Sequence, residues 1–207
     1  FYRYAFEVPK DWEGKIIRLQ FDAVNYLSEI WLNDEVVGFH EGGFTPFEFR
    51  VDNMIQAGKK NILTLRVVGP IILSDKNIDG VTALETPQWR GGLSGGIWQN
   101  VRLVASGGTY VKDVFVKPNI NDDTATFQIT MDHTEIKGDS ADIEIHLSEV
   151  SNIENKVASH IETIELEPGL NEHKIIVNIP DAQYWSPDHP FLYQADLKIK
   201  KKQTVSD

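Results

Sequence analysis

Apolar residues recur at every second position along most of the chain, and that period decides what it can fold into. Ile17, Leu19 and Phe21 share one face of an extended segment, as do Ile143, Ile145 and Leu147, and again Ile175, Val177 and Ile179. A period of two is the mark of strands that bury one face. Turn-forming residues interrupt the pattern at Trp12–Gly14, Asn33–Asp34, Ala57–Lys60, Gly107–Gly108, Lys137–Asp139 and Pro168–Gly169. This spacing leaves no room for long helices, and the best helical segment is one turn around Asn53–Gln56. With no alternation of strand and helix, the expected architecture is all-β, as two stacked sandwiches. The clearest local element is a hairpin over Ile30–Phe39. Its two-residue turn at Asn33-Asp34 requires positive φ and places Trp31 and Leu32 on opposite faces.

Charge and aromatic content both change near residue 118. Residues 1–117 carry 13 basic and 14 acidic side chains, against 7 and 17 in residues 118–207, and 16 of the 21 aromatics fall in the first part. The break predicts two domains, 1–117 and 118–207, with a boundary in the turn-rich Pro118–Asp123. The net charge of −11 disfavours a nucleic-acid backbone, whose binding needs clustered Lys and Arg, and suits a neutral or cationic ligand. No apolar run approaches the ~20 residues of a membrane helix. The chain has no cysteine, which excludes disulfides and thiol chemistry. It opens at Phe1 inside an apolar stretch without an initiator Met, so the native N-terminus is expected upstream.

Three motifs carry chemistry elsewhere and are weighed here on their context. Gly92-Leu93-Ser94-Gly95-Gly96 has the G-x-S-x-G form of a hydrolase nucleophile elbow, but Ile97–Leu103 alternates like a strand where that motif needs a helix. Asp75, Asn77 and Asp79, followed by Gly80, open like a calcium loop, in which alternate oxygen ligands converge on one ion. The closing position is Thr86 rather than a carboxylate, so an EF-hand is rejected, and what remains is an irregular Ca²⁺ site or a solvated polar loop. No other cofactor is expected, because five of the six histidines lie in the acidic second part without zinc-ligand spacing. His40-Glu41 reads either as an acid–base pair or, more simply, as hydrogen-bonded loop structure at a strand end. The loop that follows, Gly42-Gly43-Phe44-Thr45-Pro46-Phe47, either presents an aromatic surface or closes a sheet.

Read in order, Phe1–Pro9, Ile30-Trp31-Leu32-Asn33-Asp34 and Val37–Phe47 resemble the N-terminal sugar-binding domain of glycoside hydrolase family 2. Gly58–Val67 and Gly95–Leu103 look like further stations of that domain. Tyr184–Tyr193 is similar to the family's immunoglobulin-like domain. The resemblance spans nearly the whole chain and implies a jelly-roll (galactose-binding-like) sandwich followed by an immunoglobulin-like β-sandwich, both attached to a TIM-barrel that this chain lacks. Members are retaining β-galactosidases, β-glucuronidases and β-mannosidases with two catalytic glutamates, whose carboxyl groups stand about 5–5.5 Å apart. No such pair is assignable here. No catalytic residue is therefore expected, and the chain alone is expected to be inactive.

By the same resemblance, Trp89 either stacks on a sugar face, with Arg90 or Glu85 hydrogen-bonding hydroxyls, or is buried at the interface with the barrel. The family's carboxylate two residues before the tryptophan is replaced here by Pro87. Trp31, Trp98 and Trp185 are expected in the core. The implied partners are carbohydrate, the barrel of the same polypeptide and a further copy of it, with neither nucleic acid nor membrane. A bacterial polysaccharide-degrading parent implies a periplasmic or secreted location. Two alternatives stand beside this reading: a free-standing carbohydrate-binding module and a structural adhesion pair.

Overall fold

The structure is a computed structural model that describes residues 1–69, 95–201 and 204–207. The chain divides into two units, Phe1–Ala105 and Ser106–Asp207. In the first, β1 (Tyr2–Glu7), β2 (Ile16–Phe21), β3 (Val24–Asn25), β4 (Leu27–Leu32), β5 (Glu35–Glu41), β6 (Phe47–Arg50), β7 (Lys60–Val68), β8 (Gly96–Ile97) and β9 (Val101–Ser106) follow one another. One 3₁₀ turn, Lys10–Trp12, is the unit's helical element among the described residues. The strands form an antiparallel sheet of order β1-β7-β4-β5, facing a second of order β6-β2-β9, with the short pair β3-β8 at one end.

Between the sheets lies a core of Ile17, Leu19, Phe21, Val24, Ile30, Leu32, Leu63 and Leu65. The expected face of β2 is thus buried, but so are Ile16 and Arg18 on its other face. β2 is the central strand of its sheet, and covering both faces overrides simple alternation. Arg18 meets the Glu48 carboxylate at 3.5 Å. The β4–β5 hairpin closes as its sequence requires, with Leu32 opposite Glu35 and φ of 52° and 66° at Asn33 and Asp34.

In the second unit, β10 (Thr109–Asn119), β11 (Thr124–His133) and β14 (Gly169–Asn178) form one sheet of order β10-β11-β14. β12 (Asp139–Glu149), β13 (Asn152–Leu166), β15 (Tyr193–Lys201) and β16 (Thr204–Val205) form the other, of order β13-β12-β15-β16. Phe127, Ile129, Met131, Ile143, Ile145, Ile175, Val177 and Ile199 fill the space between them. Three- and four-stranded antiparallel sheets around such a core make an immunoglobulin-like sandwich. The division at Ala105/Ser106 replaces the one expected at 117/118. Pro118 does not end a segment: it sits within β10 opposite Ala125. β10 is the edge strand of its sheet, where a residue without an N–H breaks no ladder.

Each unit is braced by a buried asparagine after a turn. The Asn61 side chain accepts from the Gln56 N–H at 2.9 Å and from Asn33 Nδ2 at 2.8 Å, and donates to the carbonyls of Gln56 and Lys59, each at 3.0 Å. Asn171 repeats the device, accepting from the Glu167 N–H and donating to the carbonyls of Glu167 and Gly169, all at 2.8 Å. His133, fully buried, donates from Nε2 to the Lys137 carbonyl at 2.9 Å, and its Nδ1 accepts from the Thr109 hydroxyl at 2.8 Å. Both ring nitrogens are thus engaged within the unit, as in a satisfied core histidine rather than a metal ligand. The unit's two ends of chain meet. Gly107 N–H donates to the Ser206 carbonyl and Val111 N–H to the Asp207 carboxylate, each at 2.7 Å.

Candidate functional site

The residues with functional potential in the described part gather where β5 ends, around the loop to β6. Opposite Ser28 in the register, His40 points to the inner side of its sheet, whereas Glu41, opposite Leu27, points outward. The two adjacent side chains therefore diverge and do not work as an acid–base pair. His40 instead stacks on Phe47 with ring centroids 3.9 Å apart, and its Nε2 lies 3.4 Å from the Thr45 hydroxyl. Burial pushes the imidazole below its ordinary pKa, against the pull of the neighbouring Glu41 charge. Glu41 accepts the Tyr26 hydroxyl proton in a hydrogen bond, and that bond, reinforced by burial, raises the phenol above its ordinary value.

The loop does both things its sequence allows. Phe47 turns inward, stacking on Phe21 at 4.7 Å, while Phe44 turns out and is 70% exposed. The turn between β8 and β9 brings Trp98 beside it. The indole N–H donates to the Gly43 carbonyl at 2.8 Å, and the ring meets Phe44 edge-on, with centroids 5.7 Å apart and planes at 70°. Glycine at position 43 leaves room for the Asn25 side chain, whose Oδ1 a Cβ there would meet at 2.5 Å and force to shift. Gly96, at φ 113°, lets the backbone turn beneath the same loop as it pairs with Asn25.

The expectation of three core tryptophans fails here. Trp98 is 52% and Trp185 58% exposed, while Trp31 is half-buried on the face of β4 opposite Ile30 and Leu32. Ile97–Leu103 is not one strand but two, β8 and β9, broken at Trp98–Asn100, and the break carries the indole out of the core. Trp185 lies in the Tyr184–Leu192 connection, which is tied by reciprocal backbone bonds between Ser186 and His189. Strand, not helix, follows Gly95, so the context of a nucleophile elbow is missing.

Glu85, Trp89 and Arg90, expected to touch sugar, lie outside the described residues, as do Ser94 and the calcium-loop residues Asp75, Asn77 and Asp79. Among the described residues no three His, Asp or Glu side chains gather in a way that holds a metal ion. No described helix is long and apolar enough to cross a membrane. An apolar groove of about 550 Å³ opens between β1 and β9, lined by Tyr2, Tyr4, Phe6, Leu65 and Val101. Arg102 at its rim is engaged with the Asp22 carboxylate. Its described lining holds no carboxylate, and its polar groups are Arg3, Arg102 and the phenols of Tyr2 and Tyr4.

Tandem antiparallel sandwiches, the first carrying a braced aromatic loop, define a modular all-β protein. Residues 1–107 match the sugar binding domain of glycosyl hydrolases family 2, and residues 109–207 match a second domain of glycosyl hydrolases family 2. The chain belongs to that family. It is 31% identical over its whole length to a β-galactosidase of Thermoanaerobacter pseudethanolicus, covering 26% of that protein. It is 23% identical, again over its whole length, to a β-glucuronidase of Formosa agariphila, covering 22%. Among solved structures, a family 2 member from Bacteroides cellulosilyticus superposes on 99% of the chain with a TM-score of 0.80 at 23% identity, over 27% of its own length. A putative β-galactosidase from Bacteroides fragilis does so with a TM-score of 0.77 at 19% identity, over 31%. The chain thus spans about a quarter of the length of the relatives it matches, and the structural likeness confirms the pair of sandwiches.

Proposed function

We propose that residues 1–207 are a non-catalytic accessory region of a larger β-glycosidase, in which the two sandwiches position a catalytic barrel and unit 1 contributes to its sugar pocket. One observation carries this reading: both family domains match in order along the entire chain, while the chain accounts for about a quarter of each full-length relative. The parent reaction is hydrolysis of an O-glycosidic bond, with a β-galactoside or β-glucuronide as substrate, as in the two relatives. Retention at such a bond requires two carboxyl groups about 5–5.5 Å apart, and the reading places both of them in the barrel. Within unit 1, Glu85, Trp89 and Arg90 are the residues proposed to border the sugar, the indole by stacking and the charged groups by hydrogen bonds to hydroxyls.

The test compares the 207-residue chain with the full-length parent on 4-nitrophenyl β-galactoside and β-glucuronide. Both proteins are purified from a host lacking its own β-galactosidase and β-glucuronidase. The expected result is turnover by the parent and none by the chain. Turnover by the chain itself, or a full-length parent inert on every β-glycoside, overturns the reading.

A further inference from the structure

The apolar groove of unit 1 exists because two sheet edges do not close on each other. In the described part, β1 and β9 each stand at the edge of their sheet. On β1, Tyr2 lies opposite Leu65 and Tyr4 opposite Leu63, so both rings share the face that looks toward the core. Tyr2 is nevertheless 44% and Tyr4 67% exposed, while the core residues Leu19, Leu63 and Leu65 line the same groove. A volume of about 550 Å³ with mostly apolar walls and a few polar groups has the form of a small-molecule site. The lining runs from Tyr2 to Phe6, over which a strand advances about 13 Å, so a chain-shaped ligand can follow it.

The polar groups of the groove select by sign. Arg102 is committed to the Asp22 carboxylate through two hydrogen bonds. Arg3 is exposed and has no hydrogen bond or ion pair with any described residue. The net charge of −11 lies almost wholly beyond residue 117, since residues 1–117 hold 13 basic and 14 acidic side chains, and it is screened beyond about 10 Å at 0.1 M salt. An anion at Arg3 therefore meets an unpaired guanidinium and no carboxylate in the described lining. We propose that the groove between β1 and β9 binds a linear medium-chain carboxylate, its alkyl chain along Tyr4, Phe6 and Val101 and its head on Arg3. A neutral chain leaves the guanidinium unused, an amine meets like charge, and a sugar sets hydroxyls against leucines without acceptors. The proposal does not draw on the accessory-region reading.

The experiment titrates the ¹⁵N-labelled 207-residue chain with octanoate, with neutral octanamide and with octylamine, and follows the backbone amides of β1 and β9. Expected is a saturable shift of those amides with octanoate in the millimolar range, about fivefold weaker binding of octanamide, and none of octylamine. Affinity should rise about fourfold per methylene from hexanoate to octanoate, the value of one buried CH₂. Arg3→Gln, at an exposed position outside the core, should weaken octanoate about fivefold, as for an exposed ion pair, and leave octanamide unchanged. Tyr4→Ser, which shortens the apolar wall, should weaken both ligands alike. The proposal is overturned if nothing saturates, if octanoate moves only amides elsewhere, if octanamide binds as well as octanoate, or if Arg3→Gln binds octanoate as tightly as the parent chain. It is overturned too if the β1 and β9 amides shift with protein concentration alone, because a second copy then covers the groove. None of these results bears on the hydrolysis comparison above, which decides the accessory-region reading separately.

Discussion

Replacing Asn61 by alanine should unfold the first sandwich preferentially. Its side chain is fully buried and makes four hydrogen bonds of 2.8–3.0 Å, which tie the turn before β7 to Asn33 in the β4–β5 hairpin. Each such bond is worth about 1 kcal/mol net, and removing one partner leaves the others unsatisfied. Water reaches the exposed Lys59 side of the turn and compensates one of the four, which leaves a loss of about 3 kcal/mol. Against a domain stability of about 5–15 kcal/mol this is a large fraction. Amide hydrogen exchange resolved by residue is the assay. Leu63 and Leu65 in β7 should exchange about 150-fold faster, by the rule that 1.4 kcal/mol is a factor of ten, while Ile175 and Val177 in β14 should not change. Asn171→Ala should do the reverse, slightly less strongly, because it removes three bonds. Acceleration of less than about fivefold in β7, or equal acceleration in both units, would refute the claim that the amide braces its own sandwich.

Gly43→Ala forces a Cβ to 2.5 Å from Asn25 Oδ1 and should displace the loop that holds Trp98. A loss of about 1–3 kcal/mol and a red shift of tryptophan emission are expected, measured by urea melts followed by fluorescence. The pH dependence follows from His40 in the first unit and His173 in the second, both depressed chiefly by burial. A depressed histidine stays neutral in the folded chain while the unfolded chain takes up the proton, so stability holds above about pH 6.5 and is lost as pH falls toward the folded pKa. Stability measured between pH 7.5 and 5 should decline accordingly (about one histidine's worth per unit), and His40→Gln should flatten the slope for the first unit alone. Chelation by EDTA should leave the thermal midpoint unchanged. A drop restored by Ca²⁺ but not by Mg²⁺, and absent in Asp75→Asn, would instead assign an ion to Asp75, Asn77 and Asp79.

The strands were legible because half-buried sheets impose a period of two that no other element imitates. Ile17, Leu19 and Phe21 occupy the inner face that their spacing predicts, and the Asn33-Asp34 turn takes the backbone conformation its residues favour. Alternation reports one face only, however, and could not reveal that Arg18, on the other face of a central strand, is buried as well. The domain boundary was misplaced because composition changes at 118 for reasons unrelated to chain topology. A proline on an edge strand looks like a break and is not one. Trp98 was misread because a three-residue interruption between β8 and β9 leaves no periodic trace when apolar residues continue on both sides. The Gly42–Phe47 loop was recognisable from its residues, but its pairing with Trp98 joins positions 55 residues apart, and no local pattern carries that.

The meeting of Ser206 and Asp207 with Gly107 and Val111 also determines how the second sandwich bears mechanical load. Tension applied between residue 106 and residue 207 acts across neighbouring backbone segments at one end of the sandwich. It is resisted by a handful of hydrogen bonds there and does not pass through the Phe127–Ile145 core. Under load those terminal bonds should yield first, as a short fuse, while the remaining strands stay paired. Pulled between those two residues, the unit should act as a stiff bead hung from a clasp.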